Sequence, residues 1–144
     1  MTIKKKALKK TVSAKNPSSS GGTMTKEDFF KKMTELGFPV SNSYVPQGWY
    51  SLVYNMTLAI KTETPGFIFG ESDYIKEKFG TLRCYIVNAL SEKTNSFVYQ
   101  AEWESQFICE ICGDSKGTEL TEINDWQRTL CPRHTISEKS RRQR

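Results

Sequence analysis

Histidine is almost absent from this chain: a single imidazole, His134, occurs in 144 residues. Serine and cysteine triads and His-dependent nuclease centres need an imidazole base, so all such chemistry would have to pass through that one side chain. Long apolar runs are missing too. No stretch approaches the roughly 18 residues of a membrane span, and the basic start is not followed by the apolar region of a secretory signal. The expectation is a cytoplasmic protein with no membrane partner and no small-molecule substrate. Cysteine is sparse, at Cys84, Cys109, Cys112 and Cys131. In a reducing compartment thiols bind metal more readily than they pair. Two disulfides among the four are the alternative for an oxidising compartment, and they would leave His134 without a role.

Acidic residues are lacking at the start of the chain. Residues 1–23 hold six lysines and no acid, and 135–144 hold Lys139, Arg141, Arg142 and Arg144 against Glu138 alone. The middle, 24–134, has 11 basic and 15 acidic residues, so the net +5 belongs to the ends and the body is acidic. The first 23 residues are Lys, Ser, Gly and Pro with little to bury, which predicts a disordered basic arm and a Ser/Gly linker. Met24 offers a second translation start.

What the chain does have is a ligand set. Cys109 and Cys112 form a C-x-x-C pair closed by Gly113, and Cys131 and His134 form a C-x-x-H pair. Three thiolates and one imidazole at this spacing are the donors of a closed tetrahedral Zn2+ site, structural rather than catalytic because no position is left for water or substrate. The assignment also removes the one imidazole from acid–base work. Gly113 supplies the positive φ with which such a turn closes.

Periodicity predicts an α+β fold. Thr25 caps a helix over about 26–36 that Gly37 ends, with Phe29, Phe30, Met33 and Leu36 along it. Trp49, Leu52, Val53, Met56, Ala59 and Ile60 recur at helical spacing over about 48–62. Phe67-Ile68-Phe69 reads as a short strand-like run. Two β-rich runs joined at Gly80 predict an antiparallel hairpin over about 74–87, with Leu82, Cys84 and Ile86 facing inward. Cys84 is thereby a small apolar core residue. Ser91 caps a third helix over about 91–106. A hairpin between Thr118 and Leu130 and a helix opened by Pro132 complete a treble-clef-like zinc module. The expected domains are the arm (1–23), an α+β body (24–106), a zinc-binding module (107–136) and a basic tail (137–144). Two carboxylate groups, Glu71/Asp73/Glu77 and Glu102/Glu104/Glu110, read as charged residues on solvated faces.

Two stretches carry a family resemblance. Lys76-Glu77-Lys78-Phe79-Gly80-Thr81-Leu82-Arg83-Cys84-Tyr85 resembles a K-E-K-F-G-x-L-R-x-Y strand pair, and Cys109 through His134 resembles the zinc segment that closes it. Together, over about 48–134, they are similar to a group of small proteins carried by tailed bacteriophages and prophages. The resemblance implies a phage origin and a host-cell cytoplasm, and it implies no activity.

Two functions follow as expectations. The first is a non-enzymatic accessory protein whose zinc-stiffened body binds a host or phage protein, including host machinery or a defence system. The second is a nucleic-acid-binding protein using Lys4, Lys5, Lys6, Lys9, Lys10, Arg133, Lys139, Arg141, Arg142 and Arg144 as phosphate contacts, which give affinity without sequence readout.

Overall fold

A computed structural model describes residues 23–142. Among these residues the fold is α+β, with four helices and two separate antiparallel hairpins. The elements are α1 (Lys26–Glu35), α2 (Tyr50–Glu63), β1 (Tyr74–Lys78), β2 (Thr81–Tyr85), α3 (Glu92–Glu104), β3 (Glu119–Ile123), β4 (Trp126–Leu130) and α4 (Pro132–Arg142).

Local chemistry sets the helix ends. The Asp28 N–H donates to the Thr25 hydroxyl at 3.1 Å, and the Thr94 N–H donates to the Ser91 hydroxyl at 3.1 Å. Each hydroxyl thus satisfies one of the orphan donors of a first helical turn. Gly37 follows α1 at φ +86°, a conformation costly for a side chain bearing Cβ. The apolar stripe of α2 meets α1 and α3, burying Val53, Met56 and Ile60, while the Phe29 and Tyr50 rings stack at 4.2 Å.

The hairpin β1–β2 turns through Phe79 and Gly80, both at positive φ, the geometry that matches strand twist in a two-residue turn. Leu82 is fully buried and Cys84 and Ile86 pack on the same core, while Arg83, Tyr85 and Val87 face out, as the alternation requires. Neither outer edge is left bare. The Tyr44 N–H donates to the Ile75 carbonyl at 3.0 Å, and the Ile75 N–H to the Ser43 hydroxyl at 3.0 Å. On the other side the Leu82 N–H donates to the Ser105 hydroxyl and the Cys84 N–H to a Glu102 carboxylate oxygen, both at 2.9 Å.

The run Phe67-Ile68-Phe69 is not a strand. Both edges of the neighbouring hairpin are occupied, so these residues have no ladder to join. They keep the alternation: Phe69 is buried against Phe38 and Phe67, and Ile68 is exposed. Asp73 also departs from the solvated-face expectation. It is fully buried, with one carboxylate oxygen accepting from the Gly70 N–H at 2.8 Å and the other from the Val87 N–H at 2.7 Å. It therefore ties off the loop that leads into β1. The basic tail is helical as far as Arg142, as part of α4.

Candidate metal centre

The chain reaches the centre through the turn Ser105–Phe107 that follows α3. Gly113, at φ +83°, closes the Cys109–Cys112 turn, with its N–H donating to the Cys109 carbonyl at 2.8 Å. The backbone N–H groups of Ile111 and Cys112 aim at the Cys109 sulfur. The second pair opens α4, where the backbone N–H groups of Arg133 and His134 aim at the Cys131 sulfur. A helix N-terminus favours negative charge, so this end suits a thiolate. The hairpin β3–β4, turning through Asn124 and Asp125 at positive φ, carries the chain from one pair to the other.

Cys109, Cys112, Cys131 and His134 converge, with one donor atom from each lying within 4.8 Å of every other. The His134 Nδ1 is 3.6 Å from the Cys109 sulfur and 3.3 Å from that of Cys131, and the Cys112 and Cys131 sulfurs are 3.9 Å apart. Metal–sulfur bonds of about 2.3 Å and metal–nitrogen bonds of about 2.0 Å at tetrahedral angles imply edges of roughly 3.8 Å and 3.5 Å. The observed spacings fit such a cage. They do not fit a disulfide, whose sulfurs are about 2.05 Å apart, and all four cysteines are free.

Electrostatics agree with a bound cation. Without one, burial pushes the Cys109 thiol up to about 11, against the pull of the surrounding N–H groups. Burial also acts to raise the Cys131 thiol, but the His134 backbone N–H and the neighbouring thiols outweigh it and hold Cys131 below its ordinary value. Burial and the nearby Arg133 guanidinium lower His134, favouring the neutral, metal-binding imidazole. Burial and mutual repulsion disfavour the joint ionisation of crowded thiols, and a cation that compensates their charge reverses that.

Cys84 lies apart from this cluster. Its sulfur is 3.8 Å from that of Met56, and burial pushes its thiol far above the ordinary range, which suits a core residue and not a nucleophile.

The centre is fused to the rest of the fold by contacts that spacing in the sequence does not reveal. The Gly48 N–H donates to the Glu110 carbonyl at 2.8 Å, and the Trp49 indole N–H to the Ile108 carbonyl at 2.8 Å. Gly48 is glycine for lack of space: a Cβ there would collide with the Cys109 carbonyl oxygen and lie 2.6 Å from the Glu110 carbonyl carbon. From the other hairpin, the Thr129 hydroxyl donates to the Gly80 carbonyl at 2.6 Å.

Glu110, expected on a solvated face, is buried between the two ligands of the first pair. One of its carboxylate oxygens accepts from the Thr129 N–H at 3.1 Å and the other from Arg128 Nε at 3.0 Å. Arg128 also pairs with Glu138 of α4, which accepts from Arg141 at 3.0 Å. This chain of charges fastens the C-x-x-C turn, β4 and α4 together around the Cys/His cluster. An acid placed inside the first C-x-x-C was the available signal for it. Its partners, 18 and 10 residues from Arg128 in sequence, were not visible without the fold.

Of the residues considered for phosphate contacts, Lys4, Lys5, Lys6, Lys9, Lys10 and Arg144 lie outside the described residues. Arg133 and Lys139 are exposed on α4, Arg141 is engaged by Glu138, and Arg142 is the last residue of the helix. At 100° per residue, Lys139 points about 120° away from Arg133 and about 160° away from Arg141 around the helix, so the three do not form one stripe. Among the described residues no helix is long and apolar enough to cross a membrane. The chain matches no family model, no curated protein and no solved structure, so its own geometry carries the functional argument.

Proposed function

We propose that the cluster holds one Zn2+ ion in a structural role and that the chain acts by binding another protein, a host or phage factor in the host cytoplasm, without catalysis. The observation that carries this reading is the closure of the site. Four protein donors fill a tetrahedral zinc and leave no position for substrate, and the one imidazole of the chain is spent as a ligand. Bound zinc supplies cross-linking of the last third of the fold to itself, and through Gly48 and Trp49 to the body.

A cleft beside the Cys109–Cys112 turn supports the same reading. It has a volume of about 440 Å³ between Tyr44, Gln47, Glu77, Glu110, Trp126 and Arg128. Its carboxylates are already engaged, Glu110 as described and Glu77 by the Gly80 N–H at 2.7 Å. That leaves no free acid–base pair, whereas the surrounding exposed aromatics suit a macromolecular contact.

Binding to nucleic acid is the second reading, and the exposed Arg133 and Lys139 on α4 favour it. The acidic body and the dispersed arrangement of the α4 bases weigh against it. One experiment separates the two. The zinc-loaded full chain is used to capture a partner, the complex is rebuilt from purified components, and mobility shifts with DNA and RNA are measured at two salt concentrations. A stoichiometric protein complex with no salt-sensitive nucleic-acid shift is the expected result. Tight, salt-sensitive nucleic-acid binding without a protein partner would overturn the proposal.

A further inference from the structure

The outward face of α3 is unlike a solvated helix surface. Tyr99, Trp103 and Phe107 follow at four-residue intervals, on α3 and the turn after it, and are 64%, 61% and 46% exposed. Residues four apart are neighbours on a helix, and the Trp103 and Phe107 rings meet edge-on with centroids 5.4 Å apart. Three half-exposed rings present roughly 300–400 Å² of aromatic surface, within the range of the largest apolar patch on a typical monomer, a patch that is often functional. Beside it runs a groove of about 410 Å³ between this helix and β2, lined by Leu82, Arg83, Tyr99, Glu102, Trp103 and Gln106. Nothing in the core requires these rings: the buried face of α3 is made by Thr94, Val98 and Ala101.

The flanks say what would sit there. α3 carries Glu92, Glu102 and Glu104 against one base, Lys93, which is paired with Glu63 at 3.2 Å. The turn bearing Phe107 packs against β3, whose charged residues, Glu119 and Glu122, are exposed acids on opposite faces of the strand, so that one of the two faces the side of the stripe. On β2, Arg83 is the one opposing charge. An aromatic stripe edged by glutamates is complementary to a segment with apolar anchors and Lys or Arg at its margins. Aromatic faces add cation–π attraction for those same cations.

We infer that Tyr99, Trp103 and Phe107 form the docking surface for a basic amphipathic segment of a partner protein. This rests on the protein-binding reading above and specifies its surface and its chemistry. The rings supply the desolvated centre, where a few aromatic anchors carry most of the affinity, and the glutamates supply the rim.

The test uses the zinc-loaded full chain and two fluorescent probe peptides of one amphipathic pattern, Leu/Lys and Leu/Glu, followed by anisotropy. The Leu/Lys peptide is expected to bind and the Leu/Glu peptide to fail. Trp103→Ala should weaken binding at least tenfold, Tyr99→Ser severalfold and Glu104→Lys severalfold, with zinc content and melting temperature unchanged. Should Trp103→Ala disturb folding, Tyr99→Ser, at the other end of the stripe, carries the test. Equal binding of both peptides overturns the inference. So does loss on Glu104→Lys with no effect of either aromatic substitution, which would be charge attraction alone. A self-association that sedimentation shows to be lost in Trp103→Ala would assign the face to a second copy of the chain. Capture of a partner by the Trp103→Ala variant as efficiently as by the wild type would refute this surface while leaving the broader binding reading intact. Failure of both to capture any partner would sink that broader reading instead.

Discussion

Gly48→Ala adds one methyl group where the fold has no room for it. The new Cβ would run into the Cys109 carbonyl oxygen and sit 2.6 Å and 2.7 Å from the Glu110 carbonyl carbon and oxygen. These are backbone atoms of the C-x-x-C turn, held in turn by the Glu110 N–H bond to the Thr129 carbonyl at 2.9 Å, so they cannot rotate away as a side-chain tip would. Either the turn leaves the N-terminal end of α2 or the ligand geometry deforms. Separation would also lengthen the Gly48 N–H to Glu110 hydrogen bond and the Trp49 indole bond to Ile108, which run in parallel across the same contact. Overpacking of this kind costs about 1–3 kcal/mol, and a weakened hydrogen bond about 1 kcal/mol. A total of about 2–4 kcal/mol corresponds to a fall in Tm on the order of 10 °C for a chain this size. Helix propensity would move stability the opposite way, since alanine is favoured over glycine by about 1 kcal/mol in helices. The assay is thermal melting of the zinc-loaded wild type and variant, followed by far-UV circular dichroism. A variant that melts with the wild type or above it would refute the reasoning that the C-x-x-C turn and the body form one packed unit.

Three further outcomes follow from the same contacts. Cys112→Ser, or removal of metal by a chelator, should unfold the region beyond Gln106 and lower the melting temperature of the remainder, because Gly48 and Trp49 lose their partners; unchanged circular dichroism and melting in both cases would contradict the metal reading. Arg128→Gln leaves Glu110 and Glu138 buried without their shared cation and should destabilise by about 3 kcal/mol, measured by urea denaturation; a loss below about 1 kcal/mol would show the charge chain to be dispensable. Burial works against the Glu138 carboxylate, but Arg128 and Arg141 outweigh it and hold the group below the usual carboxylate range. Its contribution to stability is therefore complete above its unfolded value near 4.5 and lost as pH falls through the lower, folded value. The stability gap between wild type and Glu138→Gln should be constant from pH 7 to 5 and close below that; a gap that widens on acidification would contradict the pairing.

Much of this fold was legible because its determinants are local. Thr25, Gly37 and Ser91 mark helix ends through bonds spanning three or four residues. The α2 stripe and the β1–β2 alternation are periods within one element. The spacing of the candidate ligands is local within each pair, and His134, the one imidazole in the chain, was the natural fourth member of a cluster that the fold brings together. What stayed hidden depends on residues distant in sequence. Asp73 and Glu110 look like surface acids until Val87, Gly70, Arg128 and Thr129 are brought to them. Gly48 looks like a loop glycine, and only the return of Glu110, 62 residues later, shows that space and not φ fixes it. Phe67-Ile68-Phe69 has the pattern of a strand, and it fails to be one because Ser43, Tyr44, Glu102 and Ser105 already occupy both edges of the nearby hairpin. In the β3–β4 hairpin, Ile123 points inward while Leu120 and Trp126 remain exposed, so which of the three apolar side chains is covered depends on what the fold packs against the hairpin.

Metal content tests the central claim most directly. Protein purified under reducing conditions without added metal should contain one zinc per chain by elemental analysis, and its cobalt-substituted form should show the intense visible absorption of a tetrahedral thiolate site. Protein without stoichiometric metal, or with Cys109, Cys112 and Cys131 oxidised in its active form, would contradict the account.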